Sequence, residues 1–111
     1  MIVEVRTYKI IDGKIDEYIK RYEDSGLAIQ SRILGNLLGY YTCEKEDGDY
    51  AVHMWGYPDV KARNRLRDKL ANSTEWQQHL QRMRGFVIQK DSVILHPTQF
   101  SPQPTLNIVG T

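Results

Sequence analysis

Apolar and polar positions change period along the chain, and each change marks an element. Residues 2 to 11 are rich in Val, Ile, Thr and Tyr, with Val3 and Val5 on one parity and Glu4, Arg6 and Tyr8 on the other, which predicts a strand with two unlike faces. Asp12-Gly13 ends it, and from Lys14 the set Ile15, Tyr18, Ile19 and Tyr22 recurs at helical spacing, with Asp12 placed to cap the free N–H groups. Ser25-Gly26 interrupts this helix, and Gly35-Asn36 stops it after Leu27, Ile33 and Leu34. Two aromatic and β-branched runs, 37 to 46 and 49 to 57, are joined at Asp47-Gly48, which predicts a tight hairpin. Pro58-Asp59 then opens a helix with Ala62, Leu66 and Leu70 on one stripe. A further helix carries Trp76, Leu80 and Met83, its start marked by a capping box of Asn72 with Glu75 or Thr74 with Gln77. Gly85 ends that helix, residues 86 to 96 predict the last strand, and Pro97, Pro102 and Pro104 make the remainder extended.

The order strand, helix, strand, strand, helix, strand is that of an α+β, ferredoxin-like βαββαβ sandwich, with one antiparallel sheet and both helices on one face. Residues 1 to 97 form this domain, and 98 to 111 a proline-containing C-terminal arm anchored by Phe100, Leu106, Ile108 and Val109. With Val3, Val5, Val52 and Met54 turned to the helices, alternation sends Glu4, Arg6, Tyr8, His53 and Trp55 to the open face. That face is too aromatic for plain solvent. The chain has seven Tyr, two Trp and two Phe, and Tyr favours sites with one buried and one wet end. A second copy covering the open face accounts for both facts, so a homodimer burying well over ~1,000 Å² is expected.

At 111 residues the chain fits one domain and buries roughly two-thirds of its unfolded surface, so it needs no disulfide or structural metal. Fifteen Lys and Arg against fourteen Asp and Glu leave a net charge of +1, which removes nonspecific binding to nucleic acid or anionic membrane from the expected partners. The lone Cys43 cannot pair internally, no apolar stretch nears the ~18 residues of a membrane span, and no signal peptide precedes the first strand. A cytoplasmic setting is the expectation.

Four strings, LGNLLGYYTCE (34 to 44), VHMWGY (52 to 57), TEWQQHL (74 to 80) and ILHPTQFSP (94 to 102), resemble the NIPSNAP family in order and spacing. The resemblance spans about residues 2 to 102 and implies a ferredoxin-like subunit pairing into a dimeric α+β barrel. Bacterial members of this family share no established reaction. Similarity to other small dimeric barrels, among them cofactor-independent monooxygenases and haem-handling enzymes, is at the level of fold.

Candidate chemistry gathers on the first and third strands, which are adjacent and antiparallel in this fold. Arg6, Tyr8, His53 and Trp55 are the candidate ligand-binding set, converging in the barrel interior. Arg6 would hold a carboxylate or phosphate, Trp55 and Tyr8 would stack on a flat ligand, and His53, the candidate catalytic residue, would exchange a proton near neutral pH. The competing reading is a satisfied polar layer in which Glu4 pairs with Arg6 and His53 donates to a backbone carbonyl. His53, His79 and His96 lie on three elements without metal-ligand spacing, so no metal is expected. The absence of a Gly-rich phosphate loop or haem attachment motif leaves no expected cofactor. Cys43 has no neighbouring base and reads as a small hydrophobe. Lys61, Arg63, Arg65, Arg67 and Lys69 spread around their helix at about 100° per residue and read as a solvated surface. Two functions stand: a homodimer binding a small organic ligand in its barrel, with oxidoreductase or isomerase chemistry, or a noncatalytic interaction module with a side-chain-filled barrel.

Overall fold

A computed structural model of the protein describes residues 1–104. Strand β1 (Ile2–Ile10) leads through Gly13, at φ 78°, into α1 (Ile15–Arg21). A π-helical turn (Tyr22–Gly26) carries the same helix on into α2 (Leu27–Leu34). Strands β2 (Leu37–Lys45) and β3 (Gly48–Tyr57) form the hairpin. Helices α3 (Val60–Ala71) and α4 (Thr74–Arg82) precede β4 (Val87–Leu95). The strands make one antiparallel sheet in the order β2-β3-β1-β4, the ferredoxin-like arrangement the chain order predicts. No helix among the described residues is long and apolar enough to cross a membrane.

The predicted punctuation holds, with two changes of cap. Asp59 accepts a hydrogen bond from the Ala62 N–H at 2.8 Å and starts α3. Helix α4 uses neither predicted capping box: Ser73 between them accepts from the Trp76 N–H at 3.2 Å. Nor does Asp12 cap α1, whose first residue follows Lys14 with no side-chain cap. The expected break at Ser25-Gly26 is the π turn, and its cause is a neighbour. A Cβ on Gly26 would lie 2.5 Å from Nε2 of His79 on α4, so the widened turn and the missing side chain together let the imidazole in.

The faces of the sheet are the reverse of the sequence expectation. The buried side chains of β1 are Ile2, Glu4, Tyr8 and Ile10, and those of β3 include Ala51, His53, Trp55 and Tyr57. These pack against Tyr18, Tyr22, Leu70, Trp76 and Met83 from the helical layer. Val3, Val5, Val52 and Met54 therefore occupy the open face. The physical reason is volume: rings and Ile2 and Ile10 fill the deep space under two helices, and the parity they share also carries Glu4, Arg6 and His53 inside. The valines form a shallow aliphatic surface extended by Val93, half exposed, and Leu95, 47% exposed. Of the expected anchors of the C-terminal segment, Phe100 is 90% exposed, and Leu106, Ile108 and Val109 lie outside the described residues.

Candidate functional site

Register assembles the site. Tyr40 on β2 pairs with His53 on β3, His53 with Arg6 on β1, and Arg6 with Ser92 on β4, one row crossing all four strands beneath the helices. Rings then rise from the row. His53 stacks on Tyr40 with centroids 4.6 Å apart and planes 8° from parallel, and Tyr40 stacks at 4.7 Å on Tyr22 of the π turn. Tyr8 meets His53 edge-on at 4.8 Å. Hydrogen bonds lock the column: Tyr18 and Tyr40 share their hydroxyls at 3.0 Å, and the Tyr22 hydroxyl donates to Gln30 at 2.7 Å.

Beside this column lies a pocket of about 270 Å³ between sheet and helices. From the sheet it is lined by Arg6, Tyr8, Tyr40, His53 and Lys90, and from the helices by Tyr18, Arg67 and Trp76 among others. A volume at the small end of ligand pockets suits a molecule of one or two rings. Among the described residues, no group of His, Cys, Asp and Glu could hold a metal ion.

One carboxylate organises the charges. Glu4 is fully buried and accepts hydrogen bonds from Arg6, at 3.3 Å, and from Arg63 of α3. Burial works to raise its pKa, but the Arg63 hydrogen bond and the charges of Arg6, Arg63 and Arg67 outweigh it and hold the group below the ordinary carboxylate value. Arg6 also donates through Nε to the Tyr8 hydroxyl at 2.9 Å. The indole N–H of Trp55 donates to Nδ1 of His53 at 2.7 Å. Burial first, then Arg6, Arg67 and Lys90, lower the His53 pKa to about 3, so the ring is neutral at physiological pH. Burial raises the Tyr18 phenol to about 12 and raises those of Tyr22 and Tyr40 too. The site is thus a set of neutral donors and fixed cations, with no group among these poised to exchange protons near pH 7.

Of the four residues expected to bind ligand, Arg6, Tyr8 and His53 line the pocket together, while Trp55 stands behind His53 and orients it. Their location differs from the expectation: they meet under the helices of one subunit, not on the face where a barrel would close. His53 is held neutral and so lacks the proton exchange near neutral pH expected of it. The reading of α3 as a solvated surface holds for the exposed Lys61, Arg65 and Lys69 but fails for Arg63 and Arg67. Those two are spaced i,i+4 and flank the Ala62-Leu66-Leu70 stripe, a spacing that could have placed them beside the core. Helical spacing marks Tyr18 and Tyr22 only as a helix face, and Tyr40 lies within the run 37 to 46; only the fold brings the three to the pocket. Cys43 is half-buried and free.

A NIPSNAP family profile matches residues 3–102. The chain belongs to the NIPSNAP family. An uncharacterised NIPSNAP-like domain protein from Burkholderia xenovorans is 32% identical, with a TM-score of 0.91 over 98% of this chain and 95% of its own. A NIPSNAP family protein from Agrobacterium tumefaciens is 42% identical, with a TM-score of 0.82 over 91% of this chain and 96% of its own. A cofactor-independent oxygenase from Streptomyces nogalater shares the fold at 14% identity and a TM-score of 0.57, over 92% of this chain and 97% of its own. A comparison with curated proteins gave no match.

Proposed function

We propose that this NIPSNAP protein is a homodimer in which each subunit binds a small, planar organic ligand in the pocket between its sheet and its helices. The observation that carries this reading is the pocket itself, about 270 Å³ in volume and walled by Arg6, Tyr8, His53 and further aromatic rings. A noncatalytic module needs no such space, because a filled interior would satisfy the same polar groups. Arg6, Tyr8 and His53 are the contact residues, and Trp55 is a positioning residue for His53. Neutral donors facing a ligand oxygen polarise a carbonyl and stabilise an enolate, which suits oxidoreductase or isomerase chemistry on a ligand whose C–H is acidic enough to give its proton to water, since no side chain of the site takes it up near pH 7. The dimer forms through the open face, where Val3, Val5, Val52, Met54, Val93 and Leu95 offer an aliphatic surface a second copy would cover.

Calorimetric titration of the full chain with a panel of one- and two-ring aromatic compounds tests the ligand reading. The expected result is saturable binding of at least one compound with one site per subunit, lost when Leu70→Trp fills the pocket that Leu70 lines. If no compound saturates, or if binding survives the filled pocket, the interaction-module reading takes its place.

A further inference from the structure

Within this pocket the hydrogen-bonding groups are unequally committed, and the imbalance names a ligand class. Arg6 is engaged by Glu4 and Tyr8, and Arg63 by Glu4. Arg67 lines the pocket, yet its buried Nη1 has no hydrogen-bond partner among the described residues. His53 is 1% exposed, lines the same pocket, and its Nε2 likewise has no partner. The state of that nitrogen follows from its neighbour. An indole N–H can only donate, so the Trp55 bond obliges Nδ1 to accept, and the proton of the neutral ring must sit on Nε2. Two residues that line one space, one of them cationic, thus each carry a buried donor without an acceptor, and an unmet buried donor is destabilising.

The remainder of the lining agrees in sign. Its charged residues are Arg6, Arg67 and Lys90, with no carboxylate among them. The single buried carboxylate of the region, Glu4, takes two guanidinium groups on Oε2, and it stands outside the lining, so its Oε1, buried and without a hydrogen-bond partner, is not a pocket group. The walls include the aromatic side chains of Tyr8, Tyr18, Tyr40 and Trp76, which favour a flat apolar body.

We infer that the pocket is built for an aromatic or enolic monoanion whose negatively charged oxygen is held by Arg67 and by the Nε2–H of His53. This rests on the reading of the pocket as a ligand site and adds the charge of the ligand and the residues that fix it. The bound anion supplies the acceptor both donors lack, and its flat body lies against the tyrosine and tryptophan rings. Arg6, fixed through Nε by Tyr8 and through Nη1 by Glu4, lines the same pocket and adds its positive charge to that of Arg67. A guanidinium beside a neutral N–H donor selects carboxylate, phenolate or enolate oxygen over a neutral amide or alcohol.

The test is a pair of near-isosteric probes, 2-naphthoate and 2-naphthamide, titrated by calorimetry into the full chain and into its Arg67→Gln and Arg65→Gln variants. The expected result is that the carboxylate binds at least about tenfold more tightly than the amide to the natural chain and to Arg65→Gln, while Arg67→Gln brings the two within roughly threefold. Equal affinity of the two probes for the natural chain would overturn the anion assignment and leave the ligand pocket standing. Binding of neither probe would overturn the assignment together with the pocket reading. A preference that survives Arg67→Gln in a folded variant would also overturn it, by placing the anchor on another cation. The comparison of probes on the natural chain needs no variant to fold.

Discussion

Beneath the helices the sheet carries Glu4, Arg6, His53 and Trp55, whereas its opposite face carries Val3, Val5, Val52, Met54, Val93 and Leu95. The covered face buries Glu4 and His53 among its rings while these aliphatic side chains of the uncovered face stay partly exposed, the inverse of what burial alone would select at those positions. Each half of the inversion has a cost that points outward. Buried charge persists because Glu4 is met by Arg6 and Arg63, and two of the donors left over, on Arg67 and His53, belong to residues that line a pocket. Exposed aliphatic surface persists where another surface is to cover it, and on the proposed reading that surface is a second copy. The contrast teaches that alternation along a strand separates two sets of residues without saying which set lies inside.

The comparison breaks most sharply at Glu4. Glu4→Ala strands Arg6 and Arg63 in a buried site, and a loss of about 3–5 kcal/mol of folding stability is expected in urea unfolding. A loss under about 1 kcal/mol would show that the inner charges are hydrated rather than paired.

On the opposite face the substitution to make is Val93→Asp, which places a charge in the aliphatic patch. Sedimentation equilibrium should show the dimer constant weakened at least about 100-fold, equivalent to about 2.7 kcal/mol, with the subunit fold kept. A monomer in the natural protein at micromolar concentration would remove the second copy from the account.

Acid sharpens the difference between the faces, because the titrating groups named here sit inside. The His53 pKa is about 3 when folded and near 6.5 when unfolded, so between these values the unfolded chain binds more protons and stability rises with pH. Lowering the pH from 7 to 5 should therefore cost the natural protein about 2 kcal/mol through this residue. In His53→Asn that part of the loss should vanish; an unchanged pH slope would mean that the imidazole titrates freely. Glu4, held below the ordinary carboxylate value, adds a further loss only as the pH falls through its lowered pKa.

The smallest effect belongs to the outer rim. Glu17 and Arg21 form a 2.9 Å ion pair at i,i+4 on exposed α1, and Glu17→Ala should change stability by no more than about 0.5 kcal/mol in the same urea experiment.

The fold was legible because its punctuation is local. Asp47-Gly48, Pro58-Asp59, Gly35 and Gly85 act on their own neighbours, so the order of elements and the antiparallel sheet follow from them. The candidate site was legible in part. Strand parity correctly grouped Arg6, Tyr8, His53 and Trp55 on one face, since side-chain alternation does not depend on packing. Which face that was depended on three-dimensional volume, and the aliphatic character of Val3 and Val5 pointed the wrong way. Ile2 and Ile10, buried on the parity of Glu4, were the countersignal within the same strand. Arg67 stayed hidden because the pocket it lines is completed by Arg6, Tyr8 and His53, which lie far from it in sequence.

The central claim is that the two faces have separate work, ligand inside and second copy outside, and one titration tests it most directly. The Val93→Asp variant, shown to be monomeric by sedimentation, is titrated with 2-naphthoate beside the natural protein. The account predicts one site per subunit in both, with affinities within roughly threefold. Loss of binding in a folded monomer would contradict it, since a ligand held between the two sheets of a closed barrel would leave with the dimer.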